Sequence, residues 1–499
     1  MNVLLVCPKP ELSTRSVFVP LGILSIATHL IEKGHTVKFI DRSICKYDVE
    51  QVIKDFQPDI VGISLMSTKS VPDALSISKT AKELGIPVVW GGTLIFSIPG
   101  LVLKSGFVDY VVIGEGEITM LALINALIEK TPVRFVNGLA FIENGEVVIN
   151  EHREFADLAE LPVIDWSLAD PSKYFRSFFA CEKMLYLYGS KGCPCQCTFC
   201  TNKEYNRSVC RKRPIEYLLK EIEYLVNNCG MDGIYFTDEY CCKTTSEMHE
   251  FCDHLKSTGL NFVWGATTKI SDFSEEDFKY MYDAGCRWLF FGIESGSKER
   301  LVKIKKGIDY DKIVDTVTNC YNAGIVPITG FIIGFPDESE DELRQTIMLA
   351  QKMPFVMHVI NIFISLPGSE IHNKLKAERR LGLKMELKDL AKFSPFEEVV
   401  QNFSNIPTRE LEVIRAFFEM SVFTRRKPSN ETKSFVLASK VIKEHFRDMT
   451  RDGIMIFFKN FYSSVKIFFT LIFYSVFFPK IRKKYGLYSK VTKKVVSKF

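Results

Sequence analysis

The 499-residue chain lacks several features that would assign its class at once. Its first residues, MNVLLVCPKP, have neither the basic region nor the cleavage site of a secretory signal peptide. No G-x-G-x-x-G motif follows the first apolar run, so the usual dinucleotide fingerprint is excluded. With 25% charged and 46% hydrophobic residues, the composition is not that of a disordered or coiled-coil chain. We therefore expect a globular protein in the reducing cytoplasm.

The main body of the chain also lacks the basic surplus that nucleic-acid binding requires. The formal net charge is +4, but residues 440–499 alone carry +11. Residues 1–439 therefore carry −7. We predict no nucleic-acid partner, because a negative surface repels phosphate groups.

Strand and helix patterns alternate through residues 1–135, which predicts a doubly wound, Rossmann-like α/β domain. Ligands bind to such sheets beyond the carboxyl ends of the strands. The candidate binding residues at those ends are Ser67, Thr68, Gly91, Gly92, Gly114, Glu115 and Gly116. The alternative is a generic α/β domain with glycine-rich turns and no ligand.

A second alternating series begins after a linker, residues 136–185, in which Asn144-Gly145 predicts a hairpin. Residues 186–390 hold six candidate strands separated by helical stretches. This pattern predicts a partial (β/α)6 barrel with its functional residues at the strand ends. Residues 391–499 have a helical pattern and form the predicted C-terminal region.

The strongest chemical signal is the loop GCPCQCTFC after the first strand of the second series. Cys193, Cys197 and Cys200 have the spacing C-x3-C-x2-C. Thiolates are soft ligands that suit zinc or iron–sulfur clusters, and a closed zinc site takes four of them. Three cysteines instead leave the fourth iron of a [4Fe–4S] cluster open. Cys195 is out of register and is interpreted as a spare thiol.

This loop, at the end of a first barrel strand, resembles the radical SAM superfamily. Further matching segments follow in order: Thr237-Asp238-Glu239, Gly292-Ile293-Glu294-Ser295 and Gly330-Phe331-Ile332-Ile333-Gly334. The first domain resembles the cobalamin-binding domain of one large subgroup, which includes cobalamin-dependent methyltransferases and anaerobic porphyrin cyclase-like enzymes. The resemblance covers about residues 1–390.

The resemblance implies a [4Fe–4S] cluster that reductively cleaves S-adenosylmethionine to a 5′-deoxyadenosyl radical. The cofactors would carry the chemistry, and the protein would position them. The implied contacts to S-adenosylmethionine are Phe199 with the adenine, Asp238 or Glu239 with the ammonium, Lys269 with the carboxylate or ribose, Glu294 and Ser295 with the ribose, and Gly330 and Gly334 beside the adenosine.

Cobalamin domains of this kind often supply a histidine to cobalt from the motif D-x-H-x-x-G. In this chain the first strand is followed by Cys7 and PKPELS, without that motif. We therefore expect cobalamin to bind without a histidine ligand from this motif. The alternative is that cobalamin binding has been lost.

The leading functional hypothesis is methylation of an unactivated carbon in a small or lipid-like substrate. A reductant such as flavodoxin or ferredoxin would supply the electron. One alternative is radical oxidation, cyclisation or rearrangement of a lipid-like or porphyrin-like substrate without methyl transfer. An alternative from another class is a non-catalytic regulator that binds cobalamin or a cluster.

The C-terminal region combines an apolar aromatic segment, residues 453–478, with a tail that holds eight Lys/Arg residues and no acid in residues 480–499. Its longest uncharged run, residues 467–478, is shorter than the roughly 20 residues that span a bilayer. An interfacial helix on the inner face of the membrane fits this pattern. The alternative is a helix docked on the barrel, with a solvated tail.

Deletion of residues 450–499 is predicted to release the protein from anionic lipid vesicles, because both the apolar segment and the basic tail are removed. Flotation of the full chain and the truncated chain with the same vesicles measures this. Equal flotation of the two proteins would contradict membrane contact through this segment.

Overall fold

The computed structural model describes most of the first 381 residues and parts of the remainder. The described residues are 1–10, 18–238, 244–270, 273–354, 357–381, 386–387, 390, 401–415 and 484–485. Glu239 and the apolar segment 453–478 lie outside the described residues.

The described residues form sixteen strands and thirteen α-helices. The strands are β1 (Asn2–Cys7), β2 (Thr36–Asp41), β3 (Ile60–Ser64), β4 (Val88–Gly91), β5 (Tyr110–Val112), β6 (Leu139–Glu143), β7 (Glu146–Ile149), β8 (Arg176–Phe178), β9 (Cys181–Leu187), β10 (Ser190–Lys191), β11 (Arg211–Lys212), β12 (Gly233–Phe236), β13 (Val263–Thr268), β14 (Cys286–Glu294), β15 (Val326–Ile333) and β16 (Met357–Ile362). The helices are α1 (Leu21–Glu32), α2 (Val49–Phe56), α3 (Val71–Glu83), α4 (Pro99–Leu103), α5 (Gly116–Glu129), α6 (Asn202–Tyr205), α7 (Ile215–Cys229), α8 (Thr245–Ser257), α9 (Glu275–Asp283), α10 (Lys298–Lys303), α11 (Ile313–Asn322), α12 (Glu340–Lys352) and α13 (Glu370–Ala377).

The first sheet has the strand order β2-β1-β3-β4-β5-β6-β7, and β1 to β5 are parallel. Side chains of a strand alternate between the two faces of the sheet. In β1, Val3 and Leu5 pack against α1 and α5, while Leu4 and Val6 pack against α2 and α3. Both faces are thus covered by helices, which confirms the predicted doubly wound domain.

The hairpin of β6 and β7 lies in the segment assigned to the linker, yet it extends the first sheet by two antiparallel strands. Asn144 and Gly145 both have positive φ, as expected for the turn of a tight hairpin. Leu139 and Phe141 of β6 pack into the core shared with α5. This burial explains why the segment joins the domain.

The second sheet has the order β16-β15-β14-β13-β12-β9-β8. Six of its strands run parallel to one another, namely β9, β12, β13, β14, β15 and β16. The seventh strand, β8, pairs antiparallel with β9 at the edge of the sheet. The helices that follow the strands cover the outer face, as in the predicted partial (β/α)6 barrel. In β14, Leu289, Phe291 and Ile293 face those helices, whereas Trp288 and Phe290 belong to the inner face.

The inner face is closed at one end by an aromatic cluster around Trp288. Its ring lies 5.2 Å from the ring of Phe178 and 6.3 Å from that of Phe179. The indole occupies the space beside Gly265, where a Cβ atom would lie 2.0 Å from Trp288 Nε1. Protein side chains therefore fill this end of the barrel.

Two residues of the basic tail are described, and both contact the barrel. Lys484 forms ion pairs with Glu340 and Glu410, and the buried Tyr485 donates a hydrogen bond to Glu410. In the described part of the chain, no helix has the length and apolarity needed to cross a bilayer.

The substitution Gly265→Ala is predicted to destabilise the protein by about 1–3 kcal/mol, because the added methyl group displaces the buried Trp288. Urea unfolding measures the change. Gly22→Ala is the matched control, since Gly22 lies in α1 with nothing within 4 Å of its added Cβ. The control should be neutral or stabilising by up to about 1 kcal/mol. Equal effects of the two substitutions would contradict the packing argument.

Candidate iron–sulfur and cofactor site

The cysteine loop runs from the end of β10 to the start of β11, which pair antiparallel and form its neck. Two backbone hydrogen bonds fix the middle of the loop to the barrel. Thr198 N donates to Ile304 O at 3.0 Å, and Ile371 N donates to Thr198 O at 3.0 Å. The loop is therefore held at the carboxyl ends of the barrel strands.

Two lysines and one glutamate surround the thiols of this loop. Lys306 Nζ lies 2.7 Å from Glu294 Oε1, and both side chains are 13% exposed. Lys269 Nζ lies 3.6 Å from the sulfur of Cys195. The Lys306 charge also acts on Cys197 and Cys195. Lys269 and Glu294, both predicted as site residues, are thus brought to the cysteine loop.

Lys306 is a site residue that sequence reasoning missed. It lies in the run KIKKG together with Lys303 and Lys305, and nothing in the sequence separates the three lysines. Only the fold does so, because the side chains of Lys303 and Lys305 are about half exposed, whereas that of Lys306 is 13% exposed and paired with Glu294.

The pKa values of the thiols diverge within the loop. The hydrogen bond from Cys193, together with the charge of Lys269, lowers the pKa of Cys195 to about 5. The same hydrogen bond raises the pKa of Cys193. Burial raises the pKa of Cys197 to about 11, although the charge of Lys306 opposes this. The positive charges of Lys269 and Lys306 beside the thiols favour the thiolate form, which is the form that binds metal.

The donor set, three cysteine thiols in one loop, fits a [4Fe–4S] cluster, because cysteine thiolates hold the irons of such clusters. Among the described residues, no three Cys, His, Asp or Glu side chains converge as ligands of one ion would. In a cluster, each cysteine binds a different iron, so the sulfurs need not converge. The buried Lys306 would offset the negative charge of the cluster and its thiolates. Cys193, Cys197 and Cys200 would hold it, as the sequence predicted.

Two of the residues predicted to contact S-adenosylmethionine have protein partners. Both carboxylate oxygens of Asp238 accept from Gly189 N, at 3.2 and 3.0 Å, and one also accepts from Ser190 Oγ. The fully buried Ser295 accepts from Ser297 N at 3.2 Å and contacts the hydroxyl of Thr346. Asp238 therefore positions the end of β9, and Ser295 stabilises the turn before α10. Their cofactor contacts stay predictions.

The aromatic and glycine positions predicted to contact S-adenosylmethionine pack against other parts of the barrel. The ring of Phe199 lies 5.8 Å from that of Phe335. A Cβ atom at Gly330 would lie 2.7 Å from the ring of Phe290. Gly334 has a φ of 79° and donates its N–H to Glu338. Packing against Phe290 therefore explains glycine at position 330, and the positive φ explains glycine at position 334. Contact of either residue with adenosine stays a prediction.

The inner face carries an aromatic lining that the sequence analysis did not single out. The rings of Tyr186 and Tyr235 lie 5.6 Å apart, and Phe18 from the first domain lies 4.7 Å from Tyr186. The Tyr235 hydroxyl lies 2.9 Å from Thr267 Oγ1. The alternation of side chains along β9 and β12 could have predicted that Tyr186 and Tyr235 lie on the inner face of the barrel. Only the tertiary fold brings Phe18 to these two rings.

The residues predicted to bind cobalamin lie at the carboxyl edge of the first sheet. Ser67 Oγ accepts from Lys69 N and begins the short turn that includes Thr68. A Cβ atom at Gly92 would lie 2.3 Å from Leu65 O, so this position requires glycine for packing. Met66 is 68% exposed beside these residues and forms an apolar surface at the edge. Contacts of these residues with cobalamin stay predictions.

The other predicted cobalamin residues, Gly114, Glu115 and Gly116, lie at the contact with the barrel. Gly114 O accepts from the Tyr205 hydroxyl at 3.2 Å. Glu115 forms an ion pair with Arg211 beside the cysteine loop. These partners are protein groups, and cobalamin contacts by the three residues stay predictions.

A cleft of about 440 Å³ lies where this edge meets the barrel. Its lining includes Glu115, Arg153, Phe155, Tyr205 and Arg207. Arg207 and Arg211 both lie over the ring of Phe155, at 3.9 and 4.3 Å from its centroid. Two guanidinium groups of the cysteine loop are thus stacked on one aromatic ring beside the cleft.

Comparison with known families agrees with this architecture. The family model of the B12 binding domain matches residues 12–124, and that of the radical SAM superfamily matches residues 187–350. An uncharacterized methyltransferase of Pyrococcus horikoshii is 31% identical over 382 residues, which are 74% of this chain and 82% of that protein. The chain belongs to the radical SAM superfamily, in the group whose barrel follows a B12-binding domain. The predicted family and fold class are confirmed.

Other similar proteins have more specific names. The anaerobic magnesium-protoporphyrin IX monomethyl ester cyclase of Rubrivivax gelatinosus is 25% identical, over 75% of this chain and 68% of that protein. The hopanoid C-3 methylase of Methylococcus capsulatus is 23% identical, over 74% of this chain and 72% of that protein. The radical S-adenosylmethionine methyltransferase TsrM of Kitasatospora setae, solved with cobalamin and a [4Fe–4S] cluster, has the same fold. Its TM-score is 0.62 at 18% identity, over 76% of this chain and 75% of that chain.

Glu338 is a buried carboxyl group that follows β15 and was not among the predicted residues. One oxygen accepts from Gly334 N, while the other is buried with no hydrogen-bond partner among the residues that the structure describes. Burial raises the pKa of Glu338 to about 7. The native state therefore holds this proton more tightly than the unfolded chain.

Glu338→Gln is predicted to change how stability depends on pH. In the wild type, the contribution of Glu338 is fully present below about pH 4.5 and is lost as pH rises through about 7. Relative to the variant, the wild type should lose roughly 3 kcal/mol across this window, since each pKa unit corresponds to about 1.4 kcal/mol. Urea unfolding of both proteins from pH 5 to 8 measures the difference. Parallel pH profiles would contradict the raised pKa.

Proposed function

We propose that this protein is a radical SAM C-methyltransferase that uses a [4Fe–4S] cluster, S-adenosylmethionine and cobalamin. One observation carries the proposal: the neck of the three-cysteine loop lies directly against the edge of the B12-binding domain. Lys191, two residues before Cys193, has its Nζ 2.8 Å from Glu117 of that domain. When bound, the cluster and S-adenosylmethionine supply hydrogen-atom abstraction, and cobalamin supplies the methyl group.

The residues of this chain have distinct parts in the proposal. Cys193, Cys197 and Cys200 hold the cluster. The Lys306 ammonium group binds the carboxylate of S-adenosylmethionine, and Glu294 accepts from its hydroxyl or ammonium groups. Both charged groups lie at the cysteine loop and are shielded from water, where electrostatic contacts are stronger.

The substrate is proposed to be a small or lipid-like molecule with an unactivated carbon. Support comes from the aromatic lining of the barrel, in which Phe18, Tyr186 and Tyr235 offer ring faces. The hopanoid methylase among the relatives also supports an apolar substrate. A small redox protein such as flavodoxin or ferredoxin is the proposed electron donor. Segment 453–499 is the proposed membrane contact, apart from Lys484 and Tyr485, which contact the barrel.

Radical oxidation or cyclisation without methyl transfer is the second candidate. It is favoured by the similarity to the anaerobic porphyrin cyclase, which extends over 75% of this chain. Product mass separates the two functions, because methylation adds one carbon and two hydrogens. Ring closure alone would make the product no heavier than its substrate, whereas oxidation of a CH2 group to a carbonyl adds one oxygen and removes two hydrogens, a change that accurate mass distinguishes from methylation.

The Cys193→Ala/Cys197→Ala/Cys200→Ala variant is predicted to form no 5′-deoxyadenosine, because the ligands of the cluster are gone. Protein reconstituted anaerobically with iron and sulfide is reduced with S-adenosylmethionine, and the nucleoside is quantified. Cys195→Ala is the matched control in the same loop and should retain the cluster and at least about a third of the wild-type cleavage, a loss below 1 kcal/mol. Failure of wild type to cleave despite an intact cluster would favour a non-catalytic binding role.

A further inference from the structure

The neck of the cysteine loop places two positive charges opposite each other. In the ladder of β10 and β11, Lys191 pairs directly with Arg211. Like charges at directly opposed positions of a strand pair destabilise the pairing. Lys191 is only 20% exposed and Arg211 17%, so water screens their repulsion poorly. The neck therefore needs negative charge from elsewhere in order to close.

That negative charge comes from the first domain. Lys191 Nζ lies 2.8 Å from Glu117 Oε1 and 3.6 Å from Glu115 Oε1. Arg211 binds both oxygens of Glu115 through its two terminal nitrogens. Among the described residues, Glu115 and Glu117 are the carboxylates within ion-pair distance of the opposed Lys191 and Arg211, whereas the neighbouring Lys212 pairs with Glu247 of the barrel at 3.0 Å. Ser25 also donates to Glu117 at 2.8 Å, which orients that carboxylate.

Closure of the neck is tight immediately before the first cluster ligand. Gly192 has a φ of 92°, and a Cβ atom there would lie 2.1 Å from Val209 O. The two ends of the loop thus touch through backbone atoms at the residue that precedes Cys193. The two backbone hydrogen bonds of Thr198 fix the segment with Cys197 and Cys200 to the barrel. Opening of the neck would therefore move Cys193 away from these two cysteines.

We propose that docking of the first domain closes the cysteine loop, with Glu115 and Glu117 as positioning residues for the cluster. The two carboxylates neutralise the opposed cations, so that the neck pairs and Cys193 reaches its place. Loss of the carboxylates would open the neck and expose the cluster. The inference rests on the proposed function in one respect, namely that the loop holds a cluster.

The Glu115→Gln/Glu117→Gln variant tests the proposal, because both residues are far in sequence from the cysteines. Full-length protein is reconstituted with iron and sulfide without added cobalamin, and iron release to an excess of a ferrous chelator is followed. Release from the variant should be at least about tenfold faster than from wild type, since breaking buried ion pairs leaves unpaired charges.

Two further variants separate closure of the neck from general destabilisation. Asp109→Asn removes the 2.6 Å ion pair with Lys82 inside the first domain, away from the neck, and should leave iron release unchanged. Adding Lys191→Met to the double variant removes one of the opposed charges. This addition should restore most of the iron retention, a rescue that a merely structural role of the carboxylates would not produce.

Hydrogen exchange of residues 188–213 in the iron-free chain tests the neck independently of any cluster. Faster exchange there in the double variant, with slowing on addition of Lys191→Met, supports the proposal. Equal exchange and equal iron release in wild type and the double variant would overturn it. Equal acceleration by Asp109→Asn would overturn it as well. Absence of any cluster in wild type would instead count against the proposed function, and the exchange experiment would still decide the inference.

Discussion

Parallel pairing is the constraint on which the rest of this structure depends. Because every strand of a parallel sheet runs the same way, the segments that follow the strands meet at one edge. In the barrel, this edge collects the cysteine loop, Lys269 after β13 and Glu294 at the end of β14. In the first domain, it collects Ser67 and Glu115. The two edges face each other, so the two predicted cofactor sites become neighbours.

Charge pairing at this junction sets what the site can do. The Lys306–Glu294 pair lies beside the thiols, and the Lys191–Glu117 pair joins the domains. Burial alone raises the pKa of Glu117, but the charge of Lys191 outweighs it and the net pKa is lowered. Buried ions are costly unless they are paired, so each pair ties together the segments that contribute it. The site is therefore held by electrostatics that depend on the docked arrangement.

Much of the chemistry could be predicted from local sequence. The spacing of Cys193, Cys197 and Cys200 needs no tertiary context, because all three ligands lie within one short loop. The six barrel strands were predicted because buried parallel strands are continuous apolar runs. The hairpin of β6 and β7 was assigned to a linker because its membership of the first sheet depends on a distant partner, α5. The sequence predicted Asp238 as a cofactor contact, and its hydrogen bonds to Gly189, which hold the end of β9, are not visible in the sequence.

The sequence by itself determined the class of the protein and the order of its two domains, and it supplied the predicted cluster ligands, since these follow from short-range spacing and periodicity. Only the tertiary structure decided which polar residues work together. It separated Lys306 from Lys303 and Lys305 by burial, and it paired Glu115 with Arg211 across 96 residues of chain. The physical reason is that burial and charge pairing depend on distances through space, which local patterns do not encode.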